Sequence, residues 1–203
     1  MPSAQAILQT VFGYEQFRPG QAQVIQQVLN HQNTLAVMPT GGGKSLCYQI
    51  PALLNKGVTL VVSPLLALMK DQVDALRQNG IPAAAINSTI PKEEVNPILR
   101  QAYEGKLKLL YVTPERLAME FFQYQLTFLP IDLIAIDEAH CISQWGHDFR
   151  PAYRQLQAAI EKLPTHPTVL ALTATATPPV RQDIGEQLAI PAANFVITSF
   201  TRD

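Results

Sequence analysis

Thr34-Leu35-Ala36-Val37-Met38-Pro39-Thr40-Gly41-Gly42-Gly43-Lys44-Ser45 is the stretch on which the fold turns. An apolar run over 34–38 passes into a glycine-rich turn, and a stretch of helical character follows over 45–54. The run is apolar throughout instead of alternating, which is how a strand buried on both faces reads. Similar short runs recur at 58–62, 84–86, 109–112, 133–136, 169–172 and 195–197. Longer stretches at 65–78, 92–103, 151–162 and 178–188 separate them, several with a proline near the first turn, as helices often have. Upstream, residues 4–12 have helical spacing, and a second helix starting near Pro19 carries Val24, Ile25, Val28 and Leu29 on one face. Strand and helix in alternation predict an α/β fold, a mostly parallel central sheet with helices on both faces. Ligands bind such sheets at the carboxyl ends of the strands.

Composition narrows the choice further. The chain has 203 residues, 47% of them hydrophobic and 15% charged, with a formal net charge of −1. That excludes a disordered, self-repelling chain. It also excludes a generically basic coat for nucleic acid, so any DNA or RNA contact must come from a local site. No run of about 20 apolar residues offers a membrane span, and the N-terminus does not read as a signal peptide. Cys47 and Cys141 lack short metal-ligand spacing, so neither a disulfide scaffold nor a zinc module is expected, and a reducing, intracellular setting fits. The length suits one domain over 1–203 that buries about 70% of its unfolded surface.

The turn after the first strand has the chemistry for a triphosphate. Thr40, Gly41, Gly42 and Gly43 let backbone N–H groups face inward, the following helix adds its positive end, and Lys44 supplies a point charge. Lys44 is expected to reach the β- and γ-phosphates and Ser45 to ligate Mg²⁺, with ATP the nucleotide. The general pattern has glycine five positions before Gly43, where this chain has Met38. The run at 133–136 ends in Asp137-Glu138-Ala139-His140. A carboxylate at the tip of a buried strand is costly unless it faces a metal or a partner. Asp137 suits a magnesium ligand, and Glu138 suits acceptance of a proton from the attacking water.

Together with Leu172-Thr173-Ala174-Thr175, these motifs resemble the RecA-like P-loop NTPase lobe of a superfamily-two helicase. Two further segments resemble the RecQ family of DNA helicases more narrowly: the opening Phe12-Gly13-Tyr14-Glu15-Gln16-Phe17-Arg18-Pro19-Gly20-Gln21, and the run from Cys141 through Trp145 to Pro151. The resemblance covers nearly the whole chain. It implies an ATP-dependent 3′–5′ DNA helicase serving repair or recombination, in the cytoplasm or nucleoid. Residues 1–30 would then be a helical adenine-recognition region. There Gln21 would hydrogen-bond the base edge, as a glutamine amide can match adenine's donor and acceptor, and Tyr14 and Arg18 would pack near the base. Residues 144–149 would form an aromatic loop placing Trp145, Phe149 and Arg150 on single-stranded DNA, with stacking worth about 1–3 kcal/mol per base. His140 and Gln144 would relay between that loop and the nucleotide.

Weaker likenesses add DNA-backbone contacts at Ser63 with Lys70 and at Thr113, and a link between hydrolysis and lobe movement at Thr173 and Thr175. Each has an ordinary capping or turn explanation as well. Single-stranded and partially duplex DNA are the implied partners, along with a second RecA-like lobe that 199–203 would begin to approach. The arginines facing the γ-phosphate belong to that second lobe in the family. The chain by itself is therefore expected to bind Mg–ATP weakly and to turn it over very slowly. Two other readings remain: an RNA-directed motor of the same superfamily, and a free-standing nucleotide-binding module.

Overall fold

The computed structural model describes residues 1–39 and 43–198. All seven expected strands are present: β1 (Thr34–Val37), β2 (Val58–Val62), β3 (Ala83–Ile86), β4 (Leu109–Val112), β5 (Ile131–Ile136), β6 (Thr168–Thr173) and β7 (Phe195–Ile197). They form a single sheet in the order β3-β4-β2-β5-β6-β1-β7, and every pairing is parallel. The expected helices are α1 (Ala4–Thr10), α2 (Gln21–Leu29), α3 (Leu46–Leu54), α4 (Leu66–Gln78), α5 (Lys92–Tyr103) and α9 (Pro178–Leu188).

Two short helices, α6 (Pro114–Leu117) and α7 (Glu120–Leu126), were not expected. The first had a local signal, because Thr113 caps it by accepting from the Arg116 N–H at 3.3 Å and proline occupies its first turn. The second had none, since Phe121 and Tyr124 are exposed and blur its apolar face. The single helix expected over 151–162 is instead a 3-10 turn, Pro151–Gln155, followed by α8 (Leu156–Glu161). Tyr153 lies buried in that tighter turn, its hydroxyl donating to the Asp137 carbonyl at 3.0 Å.

Continuous apolar runs made these strands because both sheet faces are covered. Alternate residues of the strands, such as Leu60, Val62, Ile134 and Ile136, pack with Leu99 of α5, Phe122 of α7, Leu156 of α8 and Ile184 of α9. The intervening ones, such as Val61, Leu133 and Ala135, pack with Val24 of α2, Tyr48 of α3 and Met69 of α4. Helix α1 caps the second layer, setting Ile7 and Leu8 against Ile25 and Ile50. Burial of this kind is worth about 25 cal/mol per Å² of apolar surface, and it leaves polar chemistry to the strand ends. Among the described residues no helix is long and apolar enough to cross a membrane.

Register then sets those ends level. Val37 pairs with Thr173, Ile136 with Val62, and Val62 with Val112. The next residues on β5, β2 and β4, Asp137, Ser63 and Thr113, therefore emerge in one row, whereas Ile136 and Leu35 both pair with Ala171, so Met38 stands two residues beyond that row. At the opposite end, Gly57 N–H donates to Asp132 Oδ2 at 2.7 Å. A Cβ at Gly57 would collide with the Pro130 carbonyl oxygen and stand 2.8 Å from Asp132 Oδ2. Gly57→Ala should lower stability by about 1–3 kcal/mol, the usual cost of overpacking, and leave nucleotide binding intact. Urea unfolding with a parallel binding titration checks both; an unchanged midpoint would show that the strand entry has slack.

Candidate active site

Lys44 and Ser45 stand where β1 gives way to α3, with Leu46 N–H bonded to the Gly43 carbonyl at 3.2 Å. Gly43 has φ +73°, open to glycine at little cost. A side chain there would also strike Gln21 Nε2. Thr40, Gly41 and Gly42 lie outside the described residues, as do 199–203. Met38, in the place where the general pattern has glycine, continues the β1 ladder by donating its N–H to Thr173 O at 3.0 Å. Its side chain is buried, with Cys47 Sγ 3.9 Å from its sulfur. A large apolar residue thus fills the layer under α3, and the turn begins beyond it.

Asp137 follows β5, two strands from β1, and donates its N–H to Val62 O at 2.9 Å. Burial first, then the neighbouring Glu138 carboxylate, pushes its carboxyl up from 3.8 to about 6, against the pull of the Glu138 N–H and Lys44. Glu138 has φ +53°, a left-handed conformation that turns the chain sharply. This turn lets Asp137 Oδ1 accept the Glu138 N–H at 3.0 Å and opens the 3-10 turn Ala139–Ile142. Two acids are thereby presented on consecutive residues, one buried and one partly exposed.

His140 links this pair to its surroundings. It is buried, with Nδ1 2.7 Å from Thr173 Oγ1 and 3.6 Å from Glu138 Oε2. The Thr173 hydroxyl donates to Thr175 O at 3.0 Å and accepts the Thr175 N–H at 3.2 Å. Nε2 lies 3.6 Å from Asp148 Oδ2, and the His147 ring stacks parallel on His140 at 5.7 Å. The partners of His140 in the loop are therefore Asp148 and His147, which the sequence reading did not single out. Gln144 is exposed. Trp145 is 78% exposed, so it is a surface residue and not core. Phe149 does not lie with it but under Arg154, whose guanidinium is 5.0 Å from the ring centre. Arg150 Nε faces Asp148 Oδ1 at 4.0 Å.

On the other side of the phosphate turn, a cavity of about 440 Å³ is lined by Tyr14, Arg18, Gln21, Gly43 and Ser45, with Leu8 and Phe12 as its apolar wall. Gln21 is buried, accepts the Arg18 N–H at 2.8 Å and donates to the Gly43 carbonyl at 2.9 Å. One amide thus ties the N-terminal region to the phosphate turn. The remaining candidates are more ordinary. Ser63 Oγ accepts the Leu65 N–H at 3.4 Å, Thr113 caps α6, and exposed Lys70 pairs with Asp74 at 3.0 Å. The capping explanation accounts for both hydroxyls as they stand.

An all-parallel sheet with Lys44 and Ser45 after β1, and Asp137 and Glu138 two strands away after β5, has the arrangement of a RecA-like lobe. A DEAD/DEAH box helicase family model matches residues 18–184, and the chain belongs to that family. It is 54% identical over 98% of its length to the ATP-dependent DNA helicase RecQ of Bacillus subtilis (strain 168), covering 34% of that protein. It is 50% identical over 99% of its length to the RecQ of Haemophilus influenzae, covering 32% of it. The chain thus spans about a third of the length of these curated relatives. Among solved structures it resembles Mycobacterium smegmatis helicase Lhr bound to ssDNA and AMP-PNP, with TM-score 0.70 and 20% identity over 97% of this chain and 27% of that one. At that identity the likeness speaks for the fold alone.

Asp137 offers a test of the site's electrostatics. Around pH 4 to 6 the folded chain holds a proton that the unfolded chain has lost, so stability falls as pH rises through that window and the penalty is complete above it. Asp137→Asn should therefore raise the unfolding free energy by about 1–3 kcal/mol near pH 7.5 and by almost nothing near pH 4. Urea unfolding at the two pH values measures this; an equal effect at both would show that Asp137 is not held in a charge-hostile place.

Proposed function

We propose that this chain is the ATP-binding lobe of a RecQ-type, ATP-dependent 3′–5′ DNA helicase, working inside the cell on single-stranded and partially duplex DNA. The observation that carries the reading is that Lys44 is near enough to Asp137 to pull its carboxyl down, while His140 lies 3.6 Å from Glu138 and 3.6 Å from Asp148 of the Trp145 loop. The triphosphate would lie against the turn that ends in Lys44 and Ser45, and the base in the cavity beside Tyr14, Arg18 and Gln21. The Gln21 amide would then exchange its bond to the Gly43 carbonyl for the base edge.

Mg²⁺ fits the donors present. A carboxyl driven to about 6 by burial and a second acid is short of positive charge, and Ser45, before α3, would supply a neutral oxygen. Asp137 and Ser45 would hold the ion, whose chemistry is to neutralise phosphate charge. Glu138 would take the proton of the attacking water, its side chain being partly exposed where that of Asp137 is buried. A change at Glu138 reaches His140 at 3.6 Å and, through it, Asp148 in the loop and Thr173 on β6. Trp145 and Arg150 would meet the DNA there, and Ser63, Lys70 and Thr113 would line the strand's path along the same edge. A second RecA-like lobe would complete the site.

Calorimetric titration with Mg–ATP should show binding that Lys44→Ala weakens at least tenfold, about 1.4 kcal/mol. Thymidine oligomers should quench the fluorescence of Trp145, the sole tryptophan, more strongly than the matching RNA oligomers. ATP binding equal in the Lys44→Ala chain would refute the assignment of the phosphate turn. Stronger quenching by RNA would move the reading to an RNA-directed motor.

A further inference from the structure

We propose that His140, Cys141 and Asp148 form a zinc site that fastens the Trp145 loop to the acidic turn after β5. Each of the three side chains offers one donor atom, and the three atoms lie within 4.8 Å of one another. Asp148 Oδ2 is 3.7 Å from Cys141 Sγ and 3.6 Å from His140 Nε2. Donors around a tetrahedral zinc ion, with bonds of roughly 2.0–2.3 Å, stand about 3.3–3.8 Å apart. Both separations from Asp148 match this spacing, and no pair of the three donors is more than 4.8 Å apart.

The Thr173 hydroxyl stands 2.7 Å from His140 Nδ1, while Nε2 lies 3.6 Å from Asp148 Oδ2. Metal-bound histidines are held in this way through their other nitrogen. The Cys141 thiol donates to Asp148 Oδ2 at 3.7 Å, a hydrogen bond that the ion would replace, and Asp148 Oδ1 is 4.0 Å from Arg150 Nε. On binding, the Cys141 thiol forms an Sγ–Zn bond and gives its proton to solvent. Thiolate and carboxylate then balance the two positive charges of the ion. Sulfur, imidazole nitrogen and one carboxylate oxygen select zinc over magnesium, which demands oxygen donors. Three protein ligands leave a fourth position for water.

The ligands come from two segments with different duties. His140 and Cys141 lie in the buried 3-10 turn behind Glu138, whereas Asp148 is at the far end of the exposed loop that carries Trp145. An ion joining them would hold the loop against the turn. The inference does not rest on the helicase reading, because the cluster exists whatever the loop binds.

Cobalt(II), a coloured stand-in for zinc, tests it on the ligand-free chain in the presence of excess Mg²⁺. The expected result is one equivalent of Co²⁺ bound with tetrahedral visible absorption and a thiolate-to-metal charge-transfer band, both bleached by added Zn²⁺. Cys141→Ser should abolish the charge-transfer band, and Asp148→Asn, a change at a half-exposed side chain, should weaken binding at least tenfold. Circular dichroism verifies that each variant is folded. Zinc should also raise the fluorescence anisotropy of Trp145 in the parent chain and not in either variant. Absence of a thiolate band, its persistence in a folded Cys141→Ser chain, or anisotropy indifferent to zinc would each overturn the proposal.

Discussion

Seven strands buried on both faces and held in parallel register leave one level at which polar groups can appear. That constraint organises the molecule. Along most of their length the strands carry apolar side chains, because an unpaired polar group there costs several kcal/mol; Thr59 of β2, whose hydroxyl is buried without a partner, departs from this. At the carboxyl ends the ladder stops, backbone groups become available, and Asp137, Ser63 and Thr113 emerge together, with Met38 two residues beyond them. The phosphate turn, the paired acids and the loop behind them all hang from that edge. Helices on both faces supply the walls: α2, α3 and α4 behind the base cavity, and α9 near the acidic turn.

The acidic turn is the strained part of the arrangement. Asp137 is too buried to carry its charge comfortably, Glu138 is left-handed, and His140 is enclosed by Thr173, Glu138 and Asp148. Such features gather at functional sites because the surrounding structure over-determines them. Here the support comes from Tyr153, which bonds the Asp137 carbonyl, and from the two ladder bonds that fix Asp137 and Met38. The low-energy way to relieve the site is to add positive charge, whether a proton, a divalent cation or a basic side chain.

Much of this was legible in the amino-acid order. The strands could be read because fully buried parallel strands are unbroken apolar runs bounded by polar tips, a pattern that needs no tertiary knowledge. The glycine turn with Lys44 and Ser45, and the acids at the end of β5, were legible because local chemistry alone demands those residue types. What escaped was of another kind. Helix α7 hid because its aromatic residues face outward, and 151–155 took a 3-10 course while Tyr153 reached a strand end far from it in sequence. Met38 read as a departure from a pattern and proved to be a packing residue beside Cys47.

The order of residues by itself therefore determined the layered sheet, the place of Lys44 and Ser45 after β1 and the pair of acids after β5, since each follows from local periodicity or from adjacent residues. Only the tertiary structure decided which side chains His140 meets. Thr173 arrives from β6 and Asp148 from the far end of a loop, and no spacing rule joins them, because strand order places β5 beside β6. It likewise decided that Gln21 grips Gly43 from 22 residues away. Contacts of that sort depend on how layers close over one another, which is a property of the whole core and not of any segment within it.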